Sequence, residues 1–309
     1  MENKNKIFED NNILSKLDLS NKELMGEGYV SKGYKVKVKN ENKIEYIILV
    51  GLINDSYQCY KDSYDNLIFI YNNGNPLIKS IKIPIDDLNL IKPNNEFKYG
   101  CLIYKNIPGV IIKENIINKI NIENITNSIS NFLIELYNIK IKEDFSISEF
   151  KEKKLNYFNE ITLTFKNYLN NKNYKYDKNK LLQFEEEYKN YLKEFNEPHY
   201  IHGDLWEENM IITEDYQNLS GIIDFDDFGI GDNALDFANL SDFGYDFINI
   251  VIQKCSSIIN NVNVNDFIIK IKMYEKWVFL NNFFYLYQNY KNDCRLEQII
   301  EEMKELNFI

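Results

Sequence analysis

Histidine is almost missing from this sequence. His199 and His202 are the only two in 309 residues, which excludes a histidine-rich metal site. The four cysteines, Cys59, Cys101, Cys255 and Cys294, are scattered, with no close pair and no zinc-site spacing. That usage suits a reducing cytoplasm, the location expected for this chain. Apolar runs are short as well. No stretch of about 18 apolar residues is available to span a membrane, and the start, Met1-Glu2-Asn3-Lys4-Asn5-Lys6, lacks the apolar block of a signal peptide. Nor is there a basic stretch. With a formal charge of −11, the chain has nothing to track a phosphate backbone, so nucleic acid is not an expected partner. The acidic balance suits a polycationic ligand, and equally a plain solvated surface.

What is present is an ordinary globular composition, 44% hydrophobic and 27% charged. The length suffices for one large core or two lobes around a cleft. Residues 1–23 read as a polar lead-in. Leu24 to Gly33 then carries Gly26, Gly28 and Gly33, and Tyr34 to Val38 alternates with period two, a strand pattern. Glycines between strands let backbone N–H groups approach phosphate oxygens, though taken alone they are explained better by a plain tight turn. Lys43 to Val50 is a second strand, 54–73 a helix capped by Asn54 or Asp55 and stopped at Asn73-Gly74, and 75–93 a run of short strands and turns. Tyr99 to Tyr104 is a further strand, broken by Pro108-Gly109. The period then changes to about 3.6. Helices are expected around 125–136, 149–170 and 178–195, the last two with aromatic stripes read as core anchors (Tyr157, Phe158, Phe165, Tyr168; Phe184, Tyr188, Tyr191). Met210 to Ile212 and Leu219 to Ile223 read as a hairpin. Phe247 to Ile259, Val264 to Tyr290 and Leu296 to Leu306 read as helices. The expected division is 1–104, rich in strands, and 105–309, mostly helical.

The chemistry concentrates in 202–226. His202-Gly203-Asp204-Leu205-Trp206-Glu207-Glu208-Asn209 is followed by Ile223-Asp224-Phe225-Asp226 at the end of a short apolar strand. Phosphoryl transfer asks for Mg²⁺ held by oxygen ligands and for a carboxylate to orient the acceptor hydroxyl and take its proton. Asn209 and Asp224 supply such oxygens, and Asp204 lies on the same loop as Asn209. The order H-x-D-x-x-x-x-N followed by Asp-Phe is that of protein kinases. His202 reads as a packed, hydrogen-bonded core residue rather than a base.

These segments, together with Gly231-Asp232-Asn233-Ala234-Leu235-Asp236-Phe237-Ala238 and the helix ending Leu133-Ile134-Glu135-Leu136-Tyr137, resemble the aminoglycoside phosphotransferase and choline kinase superfamily. The resemblance is good from about 102 to 250 and weak before that. It implies an α+β, bilobal, protein-kinase-like fold: a β-rich lobe covering the nucleotide and a larger helical lobe carrying the catalytic loop. By it, Asp204 would be the catalytic aspartate and Asn209 and Asp224 the Mg²⁺ ligands. Gly26, Gly28 and Gly33 would cover the phosphates of ATP or GTP, and Lys105 to Ile107 would be the hinge at the purine. Asp236 would brace the catalytic loop. The expected acceptor is a small hydroxylated amine, foremost an aminoglycoside, with Glu207, Glu208 and Asp242 as substrate carboxylates and Asp227, Asp232 and Asp246 as further candidates. A kinase for choline, homoserine or a sugar, and a weakly active nucleotide-binding pseudokinase, are the alternatives. One family feature is missing. The family places a Lys or Arg on its third strand, paired with a helix Glu. Here that position is Leu49, and Lys35, Lys37 or Lys61 would have to substitute, with Asp62 or Asp65 in the place of the Glu.

Overall fold

A computed structural model describes residues 13–28, 30–73, 81–257, 263–290 and 295–305. The lead-in before Ile13, the helix stop at Gly74, the run 75–80, the helix end at Ile259, Cys294 and Leu306 lie outside them. Ten strands and ten α-helices are described. The strands are β1 Glu23–Glu27, β2 Ser31–Val38, β3 Glu41–Gly51, β4 Asn89–Ile91, β5 Cys101–Lys105, β6 Val110–Ile111, β7 His199–Ile201, β8 Met210–Ile212, β9 Leu219–Ile222 and β10 Gly229–Gly231. The helices are α1 Ile13–Lys16, α2 Ser56–Asn73, α3 Glu114–Ile117, α4 Ile122–Tyr137, α5 Ile147–Asn171, α6 Lys178–Glu194, α7 Ala234–Ala238, α8 Tyr245–Lys254, α9 Val264–Asn289 and α10 Arg295–Glu305. The fold is α+β, with an antiparallel sheet toward the start of the chain and mostly helices, interrupted by β7 to β10, after it.

Two compact units emerge from the contacts. The first holds residues up to Lys140, Tyr200–Gly229 and the stretch from Asp242 to the end of α8. Its antiparallel sheet runs β1-β2-β3-β5-β4. Period-two alternation sorts the side chains. Val36, Tyr46, Ile48, Cys101 and Ile103 turn to one face and bury against Ile13 and Leu17. α2 packs against β5 and β4. Asp55 stands at its N-cap, its carbonyl accepting from Cys59 N at 3.2 Å, and the first helical residue, Ser56, ties the turn down: its Oγ accepts from the N–H groups of Leu52 and Ile53 and donates to the Val30 carbonyl at 2.6 Å. β6, β8 and β9 form a second, three-stranded sheet. Lys82 ties into it, its carbonyl accepting from Ile222 N at 3.0 Å. α4 packs on α8 in the same unit.

The second unit is helical. α9 gathers α5, α6, α7 and α10 about itself. Phe158 stacks on Tyr188 with ring centroids 4.2 Å apart, Tyr188 stacks on Trp277 at 5.3 Å, and Phe165 meets Phe283 edge-on. The aromatic stripes of α5 and α6 are core, except Tyr191, which is half-buried, and Tyr157, which is exposed and donates its hydroxyl to Asn281 at 2.9 Å. No helix among the described residues is long and apolar enough to cross a membrane. Cys59, Cys101 and Cys255 are free thiols.

Asp232 is buried here. Its carboxylate accepts from Lys270 Nζ at 2.8 Å, from the Tyr274 hydroxyl at 3.2 Å and from Ala234 N at 3.0 Å. Removing one member of a buried pair strands the other charge. Lys270→Met is therefore expected to destabilise the chain by about 3 kcal/mol, read from urea unfolding. A change under about 0.5 kcal/mol would show that Asp232 does not depend on this partner.

Candidate active site

The first unit contains the whole 202–226 segment, and its hydrogen bonds show how the loop is held. β7 delivers His202, which is fully buried. Its Nε2 lies 3.1 Å from the Ile223 carbonyl, which can only accept, so Nε2 carries the proton and Nδ1 accepts from Asp204 N at 3.3 Å. Burial pushes its pKa down to about 4, so the ring is a neutral strut between the two halves of the loop. That is the structural role its sequence context indicated. Phe225 is also fully buried, with its ring 4.6 Å from the imidazole.

Gly203 has φ +87°, a left-handed conformation, and a Cβ there would come within 2.4 Å of the Asp227 carbonyl oxygen. Both facts exclude a side chain at the position preceding Asp204. The next turn brings Asn209 back: its Nδ2 donates to the Asp204 carbonyl at 2.8 Å and to Oδ2 at 2.9 Å. Asn209 O accepts from Ile223 N at 2.9 Å, fixing the loop to the β8–β9 hairpin. Asp224 follows at φ +67°. From α2, Asn66 Nδ2 donates to the Phe225 carbonyl at 2.7 Å. Nothing in the sequence pattern pointed to that latch, since its two ends lie far apart in the chain.

Asp204, Asp224, Asp226 and Asp227 lie close enough to interact, and the pKa values of Asp204 and Asp224 record it. Burial, then Asp227 and Asp226, push Asp204 up to about 7, against hydrogen bonds from Trp206 and Asn209. Asp224 is raised well above the usual carboxylate range, first by the Asp226 charge and then by burial. Its side chain keeps solvent-accessible surface although protein groups surround it closely. Asp226 enters the site only with the structure in hand.

The donor set suits a hard cation. Asn209 commits its amide nitrogen to Asp204, which leaves Oδ1 as the acceptor, and Asp224 is a carboxylate whose charge is opposed by its neighbours. Among the described residues no group of three or more His, Cys, Asp and Glu is placed to hold a metal by itself. One carboxylate and one amide oxygen match Mg²⁺, which usually takes one or two protein carboxylates and completes its shell with phosphates and water.

The other expected residues fall as follows. Gly26 and Gly33 are paired across β1 and β2. A Cβ on Gly26 would meet nothing within 4 Å, and one on Gly28 or Gly33 would make only ordinary contacts at 3.9 Å and 3.5 Å. Neither packing nor a positive φ demands these three glycines. Leu49 lies opposite Gly33 and Leu102. At the end of β5, Lys105 N donates to Asp86 O and Asn106 N to Glu45 O, both at 2.9 Å, while the Ile107 side chain is buried. Glu207 and Asp242 are brought together by a side-chain hydrogen bond, and burial pushes Glu207 up to about 7. Glu208 turns to solvent, as do Asp227 and Asp246. Asp232 is committed to Lys270 in the second unit. Asp236 is buried on α7, also in that unit.

Residues 129–249 match the sequence model of the family described as "Phosphotransferase enzyme family". The matched segment is that of a phosphotransferase. No curated protein matches the chain in sequence. Among solved structures, the gentamicin complex of APH(2″)-IIa is similar with TM-score 0.70 at 20% identity, covering 95% of this chain and 94% of its own. ADP-bound aminoglycoside phosphotransferase APH(2″)-Ib gives 0.68 at 20%, covering 96% and 94%. Macrolide 2′-phosphotransferase MphH from Brachybacterium faecium gives 0.62 at 8%, covering 91% of each chain. At these identities the likeness establishes the fold, the kinase-like α+β fold that the phosphotransferase motif implied.

The carboxylate cluster makes stability depend on pH and on divalent cations. Groups whose folded pKa is raised bind protons more tightly in the folded chain, so stability falls as pH climbs from about 4 through about 7. Without divalent cations the melting temperature should therefore drop between about pH 5 and about pH 8. Mg²⁺ should raise it more at the higher pH. A Mg²⁺ effect equal at both pH values, or larger at the lower, would contradict this reading.

Proposed function

We propose that this chain transfers the γ-phosphoryl group of ATP or GTP to a hydroxyl of a small polycationic molecule, foremost an aminoglycoside. The carrying observation is the loop in which Asn209 clamps Asp204 beside Asp224, inside the segment that matches the phosphotransferase family. The acceptor oxygen attacks the γ-phosphorus, the bond to the β,γ-bridging oxygen breaks, and the nucleoside diphosphate leaves with that electron pair. Asp204 takes the hydroxyl proton. A carboxylate pushed up to about 7 is suited to accept a proton near neutral pH. Asn209 and Trp206 both donate to that carboxylate, Asn209 to Oδ2, and so orient it.

Asn209 Oδ1 and Asp224 would hold Mg²⁺, which when bound supplies positive charge against the donor phosphates. Gly26, Gly28 and Gly33 leave the sheet bare where phosphates would lie. With the Lys105 and Asn106 N–H groups taken, Ile107 N–H is the hinge donor left for a purine. The division at residue 105, with nucleotide covered from one side and acceptor bound on the other, belongs to the same proposal, as does the cytoplasmic location.

The acceptor side rests on Glu207. Its Oε2 is buried with no hydrogen-bond partner, and the rest of the carboxyl meets its own backbone N–H and a second carboxyl, Asp242. A buried unsatisfied acceptor is costly, and an ammonium donor would satisfy it. The fold likeness to aminoglycoside phosphotransferases, one solved with gentamicin, favours the same class. A macrolide is the second acceptor to test, because macrolide phosphotransferases share the fold.

The experiment is phosphate transfer from ATP and GTP to gentamicin, kanamycin, a macrolide, choline and a sugar. Transfer to an aminoglycoside is expected, falling by about 100-fold or more in Asp204→Ala. Nucleotide binding with no transfer to any acceptor would leave the pseudokinase reading instead, and undiminished transfer by Asp204→Ala would remove Asp204 from the mechanism.

A further inference from the structure

The five-stranded sheet has two faces, and only one buries against α1. Val36, Tyr46, Ile48, Cys101 and Ile103 define that outer face. By alternation, Gly33, Lys35, Ile47, Leu49, Leu102 and Tyr104 project from the other. This inner face looks toward the carboxylate cluster, because the Tyr104 hydroxyl, on the inner face, is raised by burial and by the Asp224 charge. Tyr60 on α2, the helix packed against β5, is raised by burial too and also feels Asp224.

The family's strand-three cation would stand at Leu49, on that inner face. Register shows what stands near it. Gly33 is opposite Leu49 and Lys35 is opposite Ile47, so Lys35 occupies the diagonal same-face position one strand over. Diagonal neighbours of this kind are about 7–8 Å apart, a gap that a lysine's flexible four-carbon stem largely spans. We infer that Lys35 on β2 supplies the ammonium that grips the donor phosphates in place of the strand-three lysine. The inference rests on the phosphotransferase reading above.

The other described lysines of this region are placed worse. Lys32 projects from the outer face, paired with Glu27 at 3.1 Å. Lys61 is on the exposed side of α2, bound to Asp65 one turn on. Lys37 and Lys43 share the inner face but stand further from the glycine turn than Lys35, and both are exposed. Lys35 is the inner-face lysine nearest that turn. It already has a holding partner: Nζ lies 3.1 Å from Glu23 Oε2, on the residue directly opposite it in β1. Glu23 stands in for the family's helix glutamate, so Asp62 and Asp65 are not needed. Asp62 accepts from Gln58, and Asp65 from Lys61, on the exposed side of α2. The Lys35–Glu23 pair is solvated, with side chains 24% and 64% exposed. Such pairs hold weakly, and a triphosphate can draw the ammonium away.

The test uses the full chain with Mg²⁺, and compares binding of non-hydrolysable ATP and GTP analogues with binding of adenosine and guanosine. Lys35→Met should weaken analogue binding at least tenfold and lower kcat/KM by about 100-fold, while leaving nucleoside binding and the circular dichroism spectrum unchanged. Lys37→Met should match the parent. Lys35→Met combined with Leu49→Lys should restore analogue binding, because it returns the charge to β3. Parent-like binding by Lys35→Met, or equal loss of nucleoside and triphosphate, would overturn the assignment. Failure of a folded double variant to regain affinity would overturn it too. If the parent itself binds no triphosphate, both the assignment and the phosphotransferase reading fall, an outcome distinct from a silent Lys35.

Discussion

The arrangement of the site depends on holding like charges together. Asp204, Asp224, Asp226 and Asp227 repel one another, and two of them are pushed far from ordinary carboxylate behaviour. Such a cluster would spread unless the backbone were fixed from several sides. His202 ties the start of the loop to Ile223, Asn209 folds the loop back on Asp204, and Asn66 reaches in from α2 to the Phe225 carbonyl. Gly203 lets the chain pass hard against Asp227, where any side chain would collide. Each tie is an uncharged hydrogen bond or a steric fit, so none neutralises the repulsion. Such a loop would favour a cation, and under the proposed function a phosphate-bound Mg²⁺ would bring one.

Much of this was readable in the sequence because it is local. The helix expected at 54–73 runs Ser56–Asn73, and those expected at 149–170 and 178–195 run Ile147–Asn171 and Lys178–Glu194. Their signals were caps and a 3.6-residue period, both properties of neighbouring residues. The Asp204–Asn209 pair spans one short loop, so its spacing alone brought the two side chains together.

What could not be read depends on partners distant in the chain. Asp232 looks like one more loop carboxylate until α9 supplies Lys270 and Tyr274. Asn66 looks like an ordinary helix residue until the chain returns with Phe225. Leu49 marked a missing charge, but only strand register and face could rank Lys35 above Lys37 and Lys61. The glycines of the β1–β2 turn show the converse. A tight turn was the better reading of them in the sequence, yet no contact within the fold requires them.

The central claim is that Asp224 and Asn209 complete their coordination only with a metal-bound triphosphate. Isothermal titration of a non-hydrolysable ATP or GTP analogue, with Mg²⁺ and then with a chelator, tests it most directly. The parent should bind at least about tenfold more tightly with Mg²⁺, and Asp224→Asn should lose most of that difference. Equal affinity with and without the metal in the parent would contradict the account.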